Sequence, residues 1–176
     1  MEILIIGGLI VALMAYASTK IKKSAAAAFE REEIEMEDFS IIKPAGFINP
    51  INDESAFVFE AYTKDLGTEA ARNIRRARAT LRVISGLDFE TVCRDTKNNS
   101  GIIITKKFAE DTPERRKIFL LESEKTEHEA KIFSYWKIAE GREPQKIYEL
   151  QVSVLEEYRE ELADAASEMI ESFTVK

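Results

Sequence analysis

The chain has 176 residues, of which 45% are hydrophobic and 32% are charged, with only 7 glycines and 4 prolines. This composition excludes disordered and fibrous proteins and leaves room for about one domain with a core that needs neither disulfides nor metal. A formal net charge of −7 argues against general nucleic-acid binding, and a single cysteine, Cys93, excludes an intramolecular disulfide.

The N-terminal region contains an uncharged apolar run from Ile3 to Ala17. As a helix at ~1.5 Å per residue, this run spans roughly 22 Å, which with its flanks approaches the hydrocarbon core of a thin bilayer. We therefore predict a transmembrane anchor over residues 1–19. Because Lys20, Lys22 and Lys23 follow it, the positive-inside rule places the rest of the chain in the cytoplasm.

Two other interpretations of the apolar run stay open. Ala15-Tyr16-Ala17 has the small-x-small form of a signal-peptide cleavage site, although Met1-Glu2 lacks the positive charge of a secretory signal. A buried core helix is the second alternative, because apolar runs of this length also occur in soluble cores.

A helical stalk is predicted over residues 20–37, before a soluble domain over residues 38–176. The segment from Ser24 to Glu33 is rich in strong helix formers and shows little apolar periodicity, which indicates a solvated helix. The domain then begins with two strand-like segments, Phe39–Lys43 and Ala56–Thr63, separated by a proline- and glycine-containing loop.

Residues 68–85 place apolar side chains at alternating steps of four and three, the spacing of one stripe of an amphipathic helix. Arginines lie away from that stripe and form the only basic surface that we predict: Arg72, Arg75, Arg76, Arg78 and Arg82. This surface is a candidate contact for acidic lipid headgroups or for an acidic protein partner. Pairing with the surplus carboxylates of the chain is the purely structural alternative.

From residue 89 onward, short β-type runs separated by turn residues predict an antiparallel meander over 89–93, 101–106, 117–123, 130–139 and 146–154. A closing amphipathic helix follows from Leu155 to Ser172, and Phe173-Thr174-Val175 is apolar enough to join a sheet. The predicted fold class is α+β, with an antiparallel sheet flanked by helices and preceded by one N-terminal transmembrane helix.

No catalytic, metal or nucleotide motif stands out, so we predict no catalytic residue, no metal site and no cofactor. Neighbouring side chains in Glu127-His128-Glu129 point to opposite faces of a strand and cannot converge on one ion. Cys93 is interpreted as a small core residue. Phe133, Tyr135 and Trp136 form a candidate pocket or interaction face, with an ordinary core role as the alternative.

The two ends of the predicted domain resemble the Mog1/PsbP-like superfamily. Phe39-Ser40-Ile41-Ile42-Lys43-Pro44-Ala45-Gly46-Phe47 resembles the opening strand and proline-containing loop. Tyr158-Arg159-Glu160-Glu161-Leu162 and Ile170-Glu171-Ser172-Phe173-Thr174-Val175 are similar to the closing helix and its Ser-Phe end. The resemblance covers about residues 38–176. It implies a non-catalytic accessory or binding domain, as in photosystem extrinsic subunits, a GTPase-binding factor and bacterial membrane-attached proteins, and it transfers no catalytic residues.

The leading hypothesis from the sequence is an anchored, non-catalytic interaction domain that docks a protein partner or complex at the membrane surface. The alternative is a small-ligand binding protein or an unrecognised hydrolase that uses the concave face of the sheet. A third hypothesis is a structural subunit of a larger membrane complex, whose anchor packs on other helices through Gly7 and Gly8.

Overall fold

The computed structural model describes residue 14 and residues 26–50, 56–111, 116–143 and 146–176. The predicted transmembrane anchor over residues 1–19 lies outside these described residues except for Met14. Within the described ranges, none of the helices combines the length and the apolar character that crossing a bilayer requires.

This part of the chain is α+β, as predicted, with two antiparallel sheets and two helices. The elements in chain order are β1 (Glu32–Glu35), β2 (Phe39–Lys43), β3 (Phe47–Ile48), β4 (Phe59–Thr63), a 3₁₀ turn (Glu69–Ala71), β5 (Ala77–Ser85), α1 (Phe89–Asn99), β6 (Ile102–Asp111), β7 (Arg116–Glu127), β8 (Ala130–Glu140), β9 (Lys146–Leu155), a second 3₁₀ turn (Glu156–Tyr158), α2 (Arg159–Ser172) and β10 (Thr174–Val175).

The larger sheet has seven strands in the order β3-β4-β5-β9-β8-β7-β6, and the smaller has three in the order β1-β2-β10. Every strand pair is antiparallel. Because side chains alternate between the two faces of a strand, β9 sends one set of residues toward α2 and the other set toward α1. The faces of the large sheet therefore have different coverings.

The main core lies between the large sheet, α2 and the small sheet. Ala166 and Met169 of α2 are buried in it together with Phe173 and Val175 from the C-terminal end. The sheet residues of this core include Ala77, Ala79, Leu81, Tyr148, Leu150, Val152 and Val154. The C-terminal tripeptide thus joins the small sheet, as the sequence predicts, with Thr174 opposite Ser40 in the ladder.

A second core lies on the opposite face, under α1. The N-terminus of α1 is capped by Asp88, whose carboxylate accepts the backbone N–H of Thr91 at 2.8 Å. The buried side chains of this core are Phe89, Val92, Cys93, Phe119, Leu121, Ile138 and Ile147. Because α1 is a single short helix, part of this face is not covered by any of the described elements, and we call that part the open face.

The predicted amphipathic helix over residues 68–85 is wrong. Only Glu69–Ala71 forms a 3₁₀ turn, and Ala77–Ser85 forms strand β5. The side chains of Ala77 and Leu81, four residues apart, share a face in a strand as well as in a helix, so this part of the apolar stripe fits both periods. Pairing with β4 on one side and β9 on the other decides for the strand.

The predicted strand over residues 89–93 is also wrong, because α1 begins at Phe89. Its buried residues, Phe89, Val92, Cys93 and Thr96, follow the i, i+3, i+4, i+7 spacing of a helix. The polar sequence after Cys93 conceals this spacing, since the exposed side of the helix carries most of its residues.

In the predicted helical stalk over residues 20–37, Ala26 and Ala27 are helical, but the prediction is wrong for the segment that follows them. Glu32–Glu35 forms β1, which pairs with β2. The ammonium group of Lys43, a residue that is only 2% exposed, donates to the carbonyl of Ala28 at 2.9 Å and lies 3.2 Å from the carboxylate of Glu32. A buried cation needs such partners, so residues 28–35 belong to the domain.

The C-terminal end provides a test of the fold. Phe173 is fully buried and its ring lies 6.2 Å from that of Phe39. Replacing it by alanine removes the side chain that joins α2 to the small sheet, so Phe173→Ala should lower the free energy of unfolding by about 3–5 kcal/mol. Urea unfolding followed by fluorescence measures this. Thr174→Ala is the control, because its exposed side chain should matter by less than about 0.5 kcal/mol, and equal effects would contradict the packing.

Candidate functional site

A cleft of about 770 Å³ lies on the open face of the large sheet. Its floor consists of side chains from β4, β5, β8 and β9 that point away from the main core. The polar and aromatic side chains of the floor include Glu60, Arg78, Arg82, Trp136, Glu149 and Gln151. The floor of the cleft therefore consists of charged, amide and aromatic groups, on the face of the sheet opposite the apolar main core.

Arg82 and Glu149 form the best-buried ion pair of the cleft. Both Nε and one Nη of Arg82 lie 2.8 Å from the same carboxylate oxygen of Glu149. The other oxygen of Glu149 accepts the hydroxyl of Thr96, on α1, at 2.7 Å. The Glu149 side chain is 3% exposed whereas that of Arg82 is 52% exposed. The guanidinium group of Arg82 thus shields the Glu149 carboxylate from solvent and remains half-exposed itself.

A second ion pair repeats this arrangement nearer the sheet edge. Nε of Arg78 donates to Glu60 at 2.9 Å, and an Nη lies 2.8 Å from the same oxygen. Glu60 is 13% exposed and Arg78 is 50% exposed. Since Arg78 and Arg82 lie on one face of β5 four residues apart, their backbone positions are roughly 13 Å apart. The open face therefore presents two guanidinium groups, each held from below by a carboxylate.

Neutral polar groups fill the floor between these pairs and the aromatic wall. The amide nitrogen of Gln151 donates to the hydroxyl of Ser153 at 3.0 Å and lies 3.3 Å from that of Ser134. The indole N–H of Trp136 donates to Ser123 at 3.2 Å. These contacts fix the orientation of the indole ring and of the amide, so the surface is pre-formed.

Three of the five predicted arginines line the cleft: Arg75, Arg78 and Arg82. The guanidinium of Arg75 lies 4.6 Å from the ring centre of Tyr62 and donates to the carbonyl of Lys64. The other two are not among the lining residues. Arg76 stacks on the ring of Tyr158 at 4.3 Å, and Arg72 lies in the turn before β5. Part of the predicted basic surface therefore exists, but it lies on strand β5 and on the residues just before it, and not on a helix.

The three aromatic residues of the predicted pocket do not share a surface. Trp136 lines the cleft, whereas Phe133 and Tyr135 face α2 on the other side of the sheet. There, the guanidinium of Arg159 lies 4.0 Å from the ring centre of Phe133, and its Nε donates to the hydroxyl of Tyr135 at 3.4 Å. The period-two alternation of β8 separates residues that are neighbours in sequence.

Sequence reasoning missed the carboxylates under the arginines. Neither Glu149 nor Glu60 is among the candidate site residues predicted from the sequence. A signal was present, because Arg78, Thr80 and Arg82 alternate with apolar residues from Ala77 to Leu81, which is the period-two pattern of a strand with one polar face. The pairing of such a strand with its neighbours then decides the ion pairs, and the register between β5 and β9 places Arg82 opposite Glu149.

Candidate nucleophiles and metal ligands do not converge in the described ranges. No group of three histidine, cysteine, aspartate or glutamate side chains there could hold a metal ion. Burial, reinforced by the negative charges of Glu90 and Glu149, raises the pKa of the Cys93 thiol to about 12. At neutral pH the thiol is protonated and therefore a poor nucleophile. His128 lies in the turn between β7 and β8, with φ of 49°.

The buried carboxylate provides a test of the site. Glu149→Gln keeps the side-chain size but removes the charge beneath Arg82, so it should lower the free energy of unfolding by about 1–3 kcal/mol. The single tryptophan, Trp136, lies in the same cleft and reports unfolding by fluorescence. Glu160→Gln, on the exposed face of α2, is the matched control with an effect below about 0.5 kcal/mol. Indistinguishable variants would show that the ion pair does not stabilise the fold.

Comparison with known proteins finds similarity in structure alone. No protein-family model matches the chain, and no curated protein sequence matches it. LpqN of Mycobacterium tuberculosis, described as involved in cell envelope biogenesis, has a TM-score of 0.55 and 13% identity, and the match covers 84% of this chain and 91% of LpqN.

Two further solved structures give the same picture. The cyanobacterial PsbP protein of Synechocystis sp. PCC 6803 has a TM-score of 0.50 and 11% identity, covering 84% of this chain and 92% of that protein. The Ran-binding protein Mog1p of Saccharomyces cerevisiae has a TM-score of 0.47 and 12% identity, with coverage of 84% and 96%. The similarity to LpqN and to the cyanobacterial PsbP protein confirms the resemblance stated from the sequence at the level of the fold: the chain has a Mog1/PsbP-like fold.

Proposed function

We propose that the chain is a non-catalytic binding domain and that its open face holds a protein partner. The observation that carries this proposal is the pair of half-exposed guanidinium groups, Arg78 and Arg82, each anchored to a more deeply buried carboxylate. They lie on a sheet face that α1 leaves partly uncovered.

The energetics of Glu149 support a role beyond stability. Burying a carboxylate costs several kcal/mol, and a buried ion pair is often no more stabilising than apolar residues of the same size. A sheet that needed only stability could carry an apolar residue at this position in β9. Glu149 instead fixes the position of Arg82, whose exposed side has further N–H donors. A guanidinium held in advance loses less entropy when it binds a second acceptor.

The chemistry of the cleft favours an acidic segment of a protein. Guanidinium groups bind carboxylates with paired hydrogen bonds, and arginine, tyrosine and tryptophan are enriched where protein partners contribute most binding energy. Arg82, Tyr62 and Trp136 all line this cleft. The floor is a sheet face open to solvent, whereas small-molecule sites are concave, mostly apolar and enclose most of the ligand.

The same cleft supports small-ligand binding as the second candidate function. The observation in its favour is the convergence of Gln151, Ser134 and Ser153 on one patch of the floor. Native mass spectrometry of the purified chain distinguishes the two functions, because a retained small molecule would appear as a discrete added mass.

A tether to the cytoplasmic side of a membrane is part of the proposal. Its support is the uncharged run from Ile3 to Ala17 and the lysines that follow it. A binding domain held in this way would recruit its partner to the membrane surface. LpqN, a solved structure with the same fold, is described as involved in cell envelope biogenesis, which is compatible with work at such a surface.

The binding role is tested by blocking the cleft without breaking its ion pairs. Thr80 lies on β5 between Arg78 and Arg82, and Thr80→Trp places a bulky ring over the floor. Affinity purification of the intact chain in mild detergent from its own cells should yield a partner that this variant loses by about tenfold or more. Ser85→Trp, at the exposed end of the same strand, is the control and should keep the partner. Equal recovery by both variants would contradict docking on the open face.

The tether is tested by alkaline extraction of membranes. The intact chain should stay in the membrane pellet after an alkaline wash, because a hydrocarbon-embedded helix is not released by charge repulsion. A variant that lacks residues 1–19 should move to the supernatant. Protease added from the cytoplasmic side should degrade the domain. Recovery of the natural chain from the supernatant with a new N-terminus at Ser18 would show a cleaved signal peptide instead.

A further inference from the structure

Strand β6 is an exposed edge of the large sheet. It follows β7 at the end of the strand order and pairs with no other strand in the described part of the chain. From Ile102 to Glu110 every residue except Ala109 is exposed. An edge strand offers a row of backbone N–H and C=O groups on which another strand can pair.

The exposed side chains of β6 include large apolar groups that an edge strand normally avoids. Phe108 is 63% exposed, although its ring lies 4.6 Å from that of the buried Phe119 on β7. Ile102 and Ile104 are also exposed. Long, apolar, unprotected edges tend to associate with other strands. Something that covers Phe108 would therefore remove apolar surface from water.

The charges around Phe108 indicate what this partner is. Lys106 and Glu110 lie two residues before and two residues after Phe108, so all three share one face of β6. Neither Lys106 nor Glu110 makes an ion pair with another of the described residues. If two copies of β6 pair antiparallel about Phe108, Lys106 of each copy lies opposite Glu110 of the other.

We propose that two copies of this chain associate through β6, with Phe108 opposite Phe108 at the two-fold axis. The two Lys106–Glu110 pairs then flank the axis, and the rings of Phe119 and Phe108 from both copies form one row across four strands. A two-fold axis uses the same patch on both subunits, so a self-complementary strand is what this symmetry requires. Aromatic and opposite-charge pairs directly across strands are among the stabilising cross-strand contacts.

Neighbouring registers fit less well. Shifting the pairing by two residues in one direction places Phe108 opposite Lys106, which loses the aromatic pair. A larger shift in the same direction places Lys106 at the axis, opposite Lys106 of the other copy. Shifting it in the other direction places Phe108 opposite Glu110. Lysine on an edge strand usually discourages pairing, but in the proposed register Lys106 finds a carboxylate. The bulge between Ile103 and Thr105 lies outside the paired segment of residues 105–111.

Charge exchange tests the register. Sedimentation equilibrium of the intact chain in mild detergent should show a dimer. Lys106→Glu and Glu110→Lys, made singly, each turn two attractive pairs into repulsive ones and should weaken dimerisation on the order of tenfold. The two changes together restore opposite charges and should return the dissociation constant to within about threefold of the natural value. A monomeric natural chain, or a double variant as weak as the single ones, would overturn the proposal.

Cysteine cross-linking tests the position of the axis independently. In the Phe108→Cys variant the two new thiols face each other at about 4.5–5.5 Å between Cβ atoms, close enough for a disulfide with a small shift. In the control, Thr105→Cys, the two thiols are offset by six residues, or roughly 20 Å. Only the first variant should form a covalent dimer on oxidation. The natural chain controls for Cys93, which is buried. Equal cross-linking at both positions would refute the register.

Thr80→Trp separates this proposal from the proposed function, because it blocks the open face and leaves β6 unchanged. It should dimerise as the natural chain does. Loss of partner binding with retained dimerisation would support both proposals. Retained partner binding would overturn only the docking site.

Discussion

The structure depends on the alternation of side chains along β9, the central strand of the large sheet. Tyr148, Leu150, Val152 and Val154 enter the main core, while Glu149, Gln151 and Ser153 lie on the opposite face. A shift of one residue in its pairing would bury Glu149 under α2 and expose the apolar set. The same constraint therefore stabilises the core and builds the floor of the cleft.

The sequence predicted the first strand and the second half of the domain better than the segment between them. Strand β2, the meander from β6 to β9, the closing helix and the terminal strand are confirmed. These segments show a single clear period, such as the alternation from Tyr148 to Val154. The family resemblance also came from the two ends, and the fold confirms it although the identity to LpqN is only 13%.

The errors came from segments whose local pattern allowed more than one structure. The alternation Ala77-Arg78-Ala79-Thr80-Leu81 is visible once β5 is known, but alanine and arginine are also strong helix formers. Glu32–Glu35 became a strand because β2 offers a free edge, which no local propensity reports. The same limit applies to the candidate site. The arginines could be predicted from the sequence, but the carboxylates that bind them depend on the register between strands that are distant in sequence.

The buried Lys43 limits how far the domain can move if the apolar run is a membrane anchor. The ammonium group of Lys43 donates to the carbonyl of Ala28, so the chain is attached to the domain from residue 28 onward. Between residues 19 and 28 there are too few links to extend beyond roughly 30 Å, even fully stretched. Such a domain would stay in a thin layer next to the lipid, and a binding partner would have to enter this layer to reach it.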